Sequence, residues 1–225
     1  MKFKYILISL LFVSLFACKK GDSFDVSKVT TFATFEFEPT VILAKGSSYN
    51  PTVVAKEGEK SIPTNQIGTV DVNSVGVYEI VFSATNTEGY DGTATQTVIV
   101  YDPAAPDIDL SGNYSSSIVR TEADGSTPRN RSAETNITKI ANGVFYVDCL
   151  LGGFYSIAGG IGPTASMTGY ISLESDLTIT NLQSFVPYWE DGLEDFQNGS
   201  YDEGAGTLYW EAYYAAGDIF HVTLN

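Results

Sequence analysis

The alternation of apolar and polar residues predicts β-strands along most of the chain. The clearest case is residues 76–84, where the two-residue period of a strand places on one face Tyr78, Ile80, Phe82 and Ala84. A turn-rich segment follows at 85–92, and the β-branched run at 93–101 then reads as a returning strand. The pattern therefore predicts a hairpin whose Tyr78 face lies in a core.

The second half of the chain repeats this pattern in shorter pieces. The strand candidates are residues 135–140, 144–150, 167–173, 177–180, 207–214 and 219–224. Turn signals at 141–143, 174–176 and 215–218 suit antiparallel hairpins, whereas residues 121–132 read as a polar loop. Because no segment keeps a 3.6-residue period, we predict an all-β protein. In it, residues 108–225 form an antiparallel meander or a small barrel-like β domain.

The N-terminus has a different pattern. Lys2 and Lys4 precede a mainly apolar run at 5–17, which has the length of a signal-peptide core and is too short to span a membrane comfortably. We therefore predict a signal peptide at residues 1–17. The run ends in Leu-Phe-Ala-Cys at 15–18, which resembles a bacterial lipobox, and this resemblance implies that Cys18 is lipidated and anchors the chain to a membrane. Residues 18–30 are polar and read as a tether.

Cysteine usage follows from that anchor. The chain has two cysteines, so lipidation of Cys18 leaves Cys149 without an intrachain partner. Cys149 lies in an apolar run at 143–151, and we predict that it is a small buried hydrophobic residue.

A domain boundary is predicted at residues 102–107, which read Asp-Pro-Ala-Ala-Pro-Asp. Two prolines with small residues between them favour a short, extended and fairly stiff linker. The chain is then divided into a first domain at 31–101, the linker, and a second domain at 108–225, which we predict to bind a ligand.

The first domain carries a family resemblance. It rests on the spacing of Gly76, Tyr78, Ile80, Phe82, Ala84, Asn86 and Gly89, followed by Thr-Val-Ile-Val at 97–100. This spacing resembles the bacterial surface Ig-like domains of exported lipoproteins and wall proteins, over about residues 31–101. The resemblance implies an Ig-like β-sandwich that acts as a spacer or presenter.

The second domain carries another resemblance. The residues that match are 144–155, 167–173, 188–191, 199–202 and 206–210. They resemble the C-terminal domain of a family of lipoproteins that pair an Ig-like domain with a β-rich module in polysaccharide-utilisation loci of gut-type Gram-negative bacteria. The resemblance implies glycan handling at the cell surface, by genomic context. Glu190 stands where the family pattern leads us to expect Gly.

Charge narrows the class of ligand. With 12 Lys and Arg against 27 Asp and Glu, the formal net charge of −15 argues against binding of nucleic acid. From Ile140 to Asn225 there is no Lys or Arg. Sulfated or uronate-rich polymers would therefore find no cations there, whereas neutral sugars are compatible.

Catalytic and metal chemistry find little support. The single histidine, His221, lies in a strand-like alternation, and no Gly-x-Ser-x-Gly motif is present, so we predict no catalytic residue, no enzyme activity and no cofactor. The acidic cluster at 190–195 could hold calcium or could be a solvated loop. A pair of its carboxylates could also serve a glycosidase if their separation suited it. We assign no metal site.

Aromatic residues are the best candidates for ligand binding. In the strand at 207–214, Leu208, Trp210, Ala212 and Tyr214 share one face, and the other face carries Tyr209, Glu211 and Tyr213. Rings beside a carboxylate suit a sugar, whose C–H faces stack on rings while its hydroxyls bond to the carboxylate. Together with Tyr188 and Trp189 in the loop at 187–192, these three residues are the predicted ligand-binding set. The alternative is that the outer rings cover a sheet edge or a domain contact.

We therefore expect an outer-membrane lipoprotein, lipid-anchored and at the cell surface, that binds neutral glycan for a polysaccharide uptake system. Its expected partners are a neutral glycan, the proteins of the outer-membrane transporter complex and the membrane itself. Lys19, which follows Cys18, is not the Asp that would indicate inner-membrane retention. The alternative is a structural or docking protein for the transporter complex that does not itself bind glycan.

Overall fold

The computed structural model describes residues 30–225. The predicted signal peptide, the lipidation site Cys18 and all of the predicted tether except Thr30 lie outside the described residues. Within 30–225 the protein is all-β, and the sole helical element there is a 3₁₀ turn at Pro163–Ala165. The predicted fold class is confirmed. No helix of this described part is long and apolar enough to cross a membrane.

The first domain is a β-sandwich. Its strands are β1 (Thr34–Glu36), β2 (Thr40–Ala44), β3 (Val54–Glu57), β4 (Lys60–Ile62), β5 (Asn65–Ile67), β6 (Gly76–Thr85) and β7 (Asp91–Tyr101). One sheet has the order β1-β3-β4 and the other β2-β7-β6-β5. Strand β2 runs parallel to β7, whereas the other pairs are antiparallel.

The predicted hairpin forms the centre of this sandwich. Strands β6 and β7 pair antiparallel from Gly76 opposite Val100 to Thr85 opposite Asp91. The face that carries Ile80 and Phe82 is buried, as its alternation predicts, and phenylalanines from the β1 region pack against it.

The second domain is an eight-stranded antiparallel sheet. Its strands are β8 (Gly112–Thr121), β9 (Arg129–Ala141), β10 (Val144–Val147), β11 (Thr168–Leu173), β12 (Ile179–Phe185), β13 (Asp195–Asp202), β14 (Thr207–Tyr214) and β15 (Asp218–Leu224). The order is β12-β11-β10-β9-β8-β15-β14-β13. Strand β8 therefore pairs with the last strand, β15, and the connections run up and down as in a barrel.

The barrel is nearly closed between β12 and β13. The backbone nitrogen of Tyr201 donates to the carbonyl of Leu177 at 3.0 Å, and Thr178 and Ser200 form an isolated bridge. Gly199 permits this approach, because a Cβ atom there would lie 2.1 Å from the carbonyl oxygen of Ile179.

A chain segment fills the barrel interior, which differs from the predicted strand at 144–150. Strand β10 ends at Val147, and residues 149–156 then cross the inside, where Leu150, Leu151 and Phe154 are buried. The Nε1 of Trp210 donates to the carbonyl of Leu150 at 2.7 Å. Gly152, with a φ of 63°, turns the segment inward, and a Cβ atom there would lie 2.7 Å from Ile118.

Other boundaries also differ from the sequence prediction. Strand β9 begins at Arg129, so part of the predicted polar loop at 121–132 is strand. Arg131 on β9 occupies a position that faces the core: its guanidinium lies 4.3 Å from the Phe154 ring and donates to the carbonyl of that residue. A charged residue at such a position interrupts the apolar pattern by which a strand is predicted. Strand β13 was not predicted, because most of its residues are polar and exposed.

The two domains meet through the predicted linker. Residues 102–107 form a turn and are not fully extended, because the backbone nitrogen of Ala105 donates to the carbonyl of Asp102. Lys45 of the sandwich pairs with Asp102 at 3.4 Å, and Lys139 of the barrel pairs with Asp107 at 2.5 Å. Ala105 also packs closely against Gly143 in the β9–β10 turn, so this end of the barrel faces the sandwich.

Candidate functional site

The two faces of β14 separate as the sequence predicts. Leu208, Trp210 and Ala212 are fully buried in the barrel, and Tyr214 is nearly so. Tyr209, Glu211 and Tyr213 are only partly buried, which places them on the outer face of the barrel.

Glu211 is the centre of a polar network on that outer face. Its Oε1 accepts a hydrogen bond from the Tyr209 hydroxyl at 2.9 Å, and its Oε2 accepts from Nδ2 of Asn198 at 2.8 Å. The Tyr213 hydroxyl lies 3.5 Å from Oε2. Both carboxylate oxygens are therefore already engaged by the protein.

His221 joins this network because it pairs directly with Glu211 in the β14–β15 register. Its Nδ1 lies 3.1 Å from the Tyr209 hydroxyl and 3.5 Å from the Glu211 carboxylate. Since Tyr209 gives its one hydrogen to Glu211, the geometry fits the tautomer in which Nδ1 of His221 carries a hydrogen. Nε2 then faces the Thr121 hydroxyl at 3.4 Å.

The electrostatics of the network follow from these contacts. Desolvation by burial, with the bond to Glu211, raises the pKa of Tyr209 to about 12. Burial also acts to raise the pKa of Glu211, but its hydrogen bonds with Tyr209 and Asn198 and the nearby His221 outweigh it and hold that pKa below its usual value. Tyr209 is thus a neutral donor and Glu211 a charged acceptor at neutral pH.

Trp189 and Tyr188 lie in the β12–β13 loop. The backbone nitrogen of Val186 donates to the carbonyl of Asp191 at 2.7 Å, which closes this loop into a tight turn. Glu190 has a φ of 57°, a left-handed conformation that glycine adopts more readily. A glycine would adopt this conformation without steric strain.

Three rings surround Trp189. The ring centroids of Tyr188 and Tyr155 lie 4.9 and 5.1 Å from it, and the ring of Tyr214 lies at 6.1 Å. Trp189 nevertheless remains 38% exposed and Tyr188 56%. We call the surface formed by Tyr155, Tyr188, Trp189 and Tyr214 the aromatic end surface.

Two of these four residues were not in the predicted set. Tyr155 belongs to the segment that crosses the barrel, and Tyr214 is a core-facing position of β14, so neither has a sequence signal that separates it from a core tyrosine. Within residues 30–225 neither hydroxyl has a hydrogen-bond partner. Burial raises the pKa of Tyr214 to about 12, and carboxylates of Asp191 and Glu194 add to this. The hydroxyl is therefore a protonated donor.

A buried ion pair lies behind the aromatic end surface. Arg120 donates through Nε to Asp218 at 2.9 Å, and its guanidinium lies 5.8 Å from the Tyr155 ring and 5.6 Å from that of Phe220. The contact between the Arg120 guanidinium and the Tyr155 ring holds that ring in place, while Asp218 neutralises the charge of Arg120.

The five predicted ligand-binding residues therefore occupy two surfaces. Tyr188 and Trp189 lie at the end of the barrel, where Trp189 contacts Tyr214, a residue of the inner face of β14. Tyr209, Glu211 and Tyr213 lie on the outer wall. A single ligand-binding cluster that contains all five is not formed.

Two carboxylates of the acidic loop accept hydrogen bonds from the protein itself. Glu194 accepts hydrogen bonds from the backbone nitrogens of Ala216 and Gly217, at 2.7 and 3.0 Å, and so caps the β14–β15 turn. Asp195 accepts from Gln197 and from the backbone of Phe196. In the described part of the chain no group of three or more His, Cys, Asp or Glu side chains could hold a metal ion. Cys149 is buried and unpaired there, as predicted.

Exposed aliphatic side chains occur near the same end of the barrel. Ile157 and Ile161 lie in the β10–β11 connection and are 57% and 42% exposed. The backbone nitrogen of Tyr188 donates to the carbonyl of Thr164 in this connection at 2.9 Å, which ties the two loops together.

Comparison with known proteins gives matches to both domains. A family model described as a C-terminal domain matches residues 104–225, and the model of the bacterial surface protein Ig-like domain matches residues 33–100. No curated protein matches the chain. Among solved structures, the lipoprotein BT2262 from Bacteroides thetaiotaomicron is 32% identical, with 86% of this chain and 100% of that chain covered and a TM-score of 0.49. A protein of unknown function from Bacteroides ovatus is 13% identical over 66% of this chain and 55% of that chain, with a TM-score of 0.27.

Proposed function

The chain belongs to the family of this C-terminal domain, and we propose that it is an outer-membrane lipoprotein that binds neutral glycan at the cell surface. In this role it delivers glycan to the transporter complex of a polysaccharide uptake system. Cys18 carries the lipid anchor, and the aromatic end surface is the main binding site.

The observation that carries this proposal is the setting of Trp189. Three tyrosine rings contact it and fix its orientation, yet more than a third of its surface is exposed. A ring that is already ordered loses little conformational entropy when it stacks on a sugar. The hydroxyl of the partly buried Tyr155 and the carboxylate of the exposed Asp191 offer the polar contacts that a sugar's hydroxyls need.

Topology supports a presenting role. The β9–β10 turn packs against the linker, so the barrel end with this turn faces the sandwich. In an up-and-down barrel, the β12–β13 and β14–β15 connections lie at the opposite end. Because Cys18 precedes the sandwich, the aromatic end surface would lie at the far end of the protein from the membrane.

Charge supports a neutral ligand. The loop of Trp189 carries Glu190, Asp191 and Glu194, and residues 140–225 contain no Lys or Arg. The carboxylates of this loop repel anionic glycans, and two of the three arginines near Tyr155 are paired, Arg120 with Asp218 and Arg129 with Glu122. On the outer face of β14, both carboxylate oxygens of Glu211 already accept hydrogen bonds, from Tyr209 and Asn198. We therefore assign this face a secondary role in binding.

We also propose that binding occurs without catalysis and without a cofactor. A glycosidase needs one carboxyl that acts as an acid and a second one free to act as nucleophile or base. The carboxylates of Glu194 and Glu211 are engaged by backbone or side-chain donors, and such contacts are typical of structural groups.

The test is a binding measurement on residues 18–225 with Cys18→Ser, which keeps the folded chain soluble. Calorimetry and affinity electrophoresis would compare galactomannan, xyloglucan and soluble starch with the anionic polymer polygalacturonate. We expect binding to at least one neutral polymer and none to polygalacturonate, and loss of most affinity in Trp189→Ala. Tyr90→Ala, which removes an exposed aromatic ring of the sandwich, is the matched control and should bind normally.

The competing function is docking on the transporter complex. It is favoured by the exposure of Ile157 and Ile161 in one loop, because exposed apolar side chains often mark protein interfaces. If no polymer bound while Trp189→Ala weakened association with the purified outer-membrane transporter, the glycan-binding proposal would be replaced by this one.

A further inference from the structure

A second pair of tyrosines lies on the side wall of the barrel. Tyr146 on β10 and Tyr170 on β11 are direct cross-strand partners, and their ring centroids lie 5.3 Å apart at an interplanar angle of 64°. The register extends this row to Thr138 on β9 and Gln183 on β12. The row therefore crosses four neighbouring strands.

Both tyrosines point outward. Their sequence neighbours Phe145, Val147 and Ile171 are fully buried in the barrel core, so the period of the strand places Tyr146 and Tyr170 on the opposite face. Both are partly buried there. In the described part of the chain neither hydroxyl has a hydrogen-bond partner, in contrast to Tyr209 and Tyr213 on the other wall, which bond to Glu211.

The row ends at the junction with the sandwich. The Nε2 of Gln183 donates to the Oε1 of Glu79 on β6 at 3.1 Å, which joins the two domains. Ser172, which lies one outward position nearer the β11–β12 turn than Tyr170, is 3% exposed although it too faces away from the core. The tyrosine pair therefore lies where the covered part of the wall ends, beside the sandwich.

The chemistry of this corner suits a neutral sugar. Tyrosine rings offer apolar surface to sugar C–H groups, and two free hydroxyls, an amide and a carboxylate can exchange hydrogen bonds with sugar hydroxyls. No Lys or Arg occupies the row. Ligand sites also occur preferentially at domain junctions, where two surfaces meet at an angle.

We propose that Tyr146 and Tyr170, with Gln183 and Glu79, form a second binding site for neutral glycan, at the domain junction and separate from the aromatic end surface. The ligand class is that of the proposed function, on which this inference rests, but the site and its residues are different. A polysaccharide chain can then engage the same molecule at two places.

The test separates the two sites by substitution. Affinity electrophoresis and calorimetry with galactomannan, xyloglucan and soluble starch would compare the unchanged protein with Tyr170→Ala, Trp189→Ala and the double variant. Each single variant should retain binding that is weaker by about tenfold, since one site remains, and the double variant should bind nothing. Two milder variants test the same site with little risk to the fold. Tyr170→Phe keeps the ring and removes only the hydroxyl, and Gln183→Ala removes only the side-chain amide.

The outcomes are distinguishable. Binding about tenfold weaker in Tyr170→Ala, or weaker binding in Tyr170→Phe and Gln183→Ala, with an unchanged unfolding transition supports the junction site. If Trp189→Ala abolished all binding and the junction variants bound normally, the junction site would be refuted while the proposed function stood. If Trp189→Ala bound normally and Tyr170→Ala did not, the aromatic end surface would be refuted and the junction site supported. Absence of binding to every polymer by the unchanged protein would refute both.

Discussion

Arg120, on the first strand of the barrel, donates from both Nε and Nη2 to one carboxylate oxygen of Asp218, the first residue of the last strand. The other oxygen of Asp218 accepts a hydrogen bond from the backbone nitrogen of Ala123 at 3.1 Å. Both side chains are largely buried, and the pair joins β8 to β15 directly behind Tyr155. The ion pair therefore links the pairing of the first and last strands of the barrel to the position of the aromatic end surface.

Asp218→Ala should destabilise the protein strongly. The change removes the closer carboxylate partner of the largely buried guanidinium of Arg120 and leaves Glu122, 3.6 Å away, as its remaining counter-charge. Removal of one partner of a buried ion pair costs up to about 3–5 kcal/mol. Chemical denaturation followed by circular dichroism measures the free energy of unfolding. Asp107→Ala, which removes the exposed partner of Lys139, is the control and should cost under about 1 kcal/mol. Equal effects of the two changes would show that the Arg120–Asp218 pair does not hold the barrel together.

Substitution of the two tryptophans should change the stability of the protein by very different amounts. Trp210→Phe removes the bond from Nε1 to the buried carbonyl of Leu150, and an unsatisfied carbonyl costs about 1–3 kcal/mol. Trp189→Phe should change stability by less than about 0.5 kcal/mol, because Trp189 is partly exposed and phenylalanine keeps an aromatic ring against its tyrosine neighbours. The Cys149 thiol, which is buried beside Leu150, reports the same event. It should react with a thiol reagent faster in Trp210→Phe, and an unchanged rate would mean that the interior segment stays in place without this bond.

Glu211→Gln should remove a pH-dependent part of the stability. The pKa of Glu211 is lowered in the folded state, so its contribution is present above the unfolded value near pH 4.3 and is lost as the pH falls through the folded pKa. At pH 7 the variant should be less stable by about 1 kcal/mol, and the difference should shrink below about pH 4. Unfolding curves from pH 3 to 8 measure it. Glu203→Gln, in the exposed β13–β14 turn, is the control; a difference that stayed constant with pH would contradict the assignment.

Glu190→Gly should stabilise the β12–β13 loop. Glu190 has a left-handed backbone with a φ of 57°, which costs a residue with a side chain about 1 kcal/mol and costs glycine nothing sterically. We expect a gain in unfolding free energy of about 0.5 kcal/mol after the entropy of the unfolded glycine is subtracted. Glu190→Ala keeps the strain and should give no gain, so a gain from both variants would indicate a charge effect instead.

Much of the fold could be predicted from local patterns. The β6–β7 hairpin follows from the alternation of Tyr78, Ile80 and Phe82, and β14 follows from that of Tyr209 to Tyr214. These strands each bury one face, so the side-chain period of two reveals them. Strand β13 has no such signal, because it lies beside the gap in the barrel and exposes most of its polar residues. The interior segment at 149–156 was also not predicted, since the apolar run at its start continues the strand pattern of 144–150.

For the candidate site, the sequence by itself determined the chemistry. It provides adjacent aromatic residues, of which one in a strand must face outward, many carboxylates, and no Lys or Arg after Lys139. Only the tertiary structure decided which of those groups meet. Trp189 gains Tyr155 and Tyr214 as neighbours because the barrel end brings together the interior segment, the β12–β13 loop and the end of β14. Trp189 is separated from Glu211 because Tyr214, which contacts Trp189, is on the inner face of β14, whereas Glu211 is on the outer face. Contacts across the barrel depend on strand order and closure, and these are set by long-range packing that no local pattern encodes.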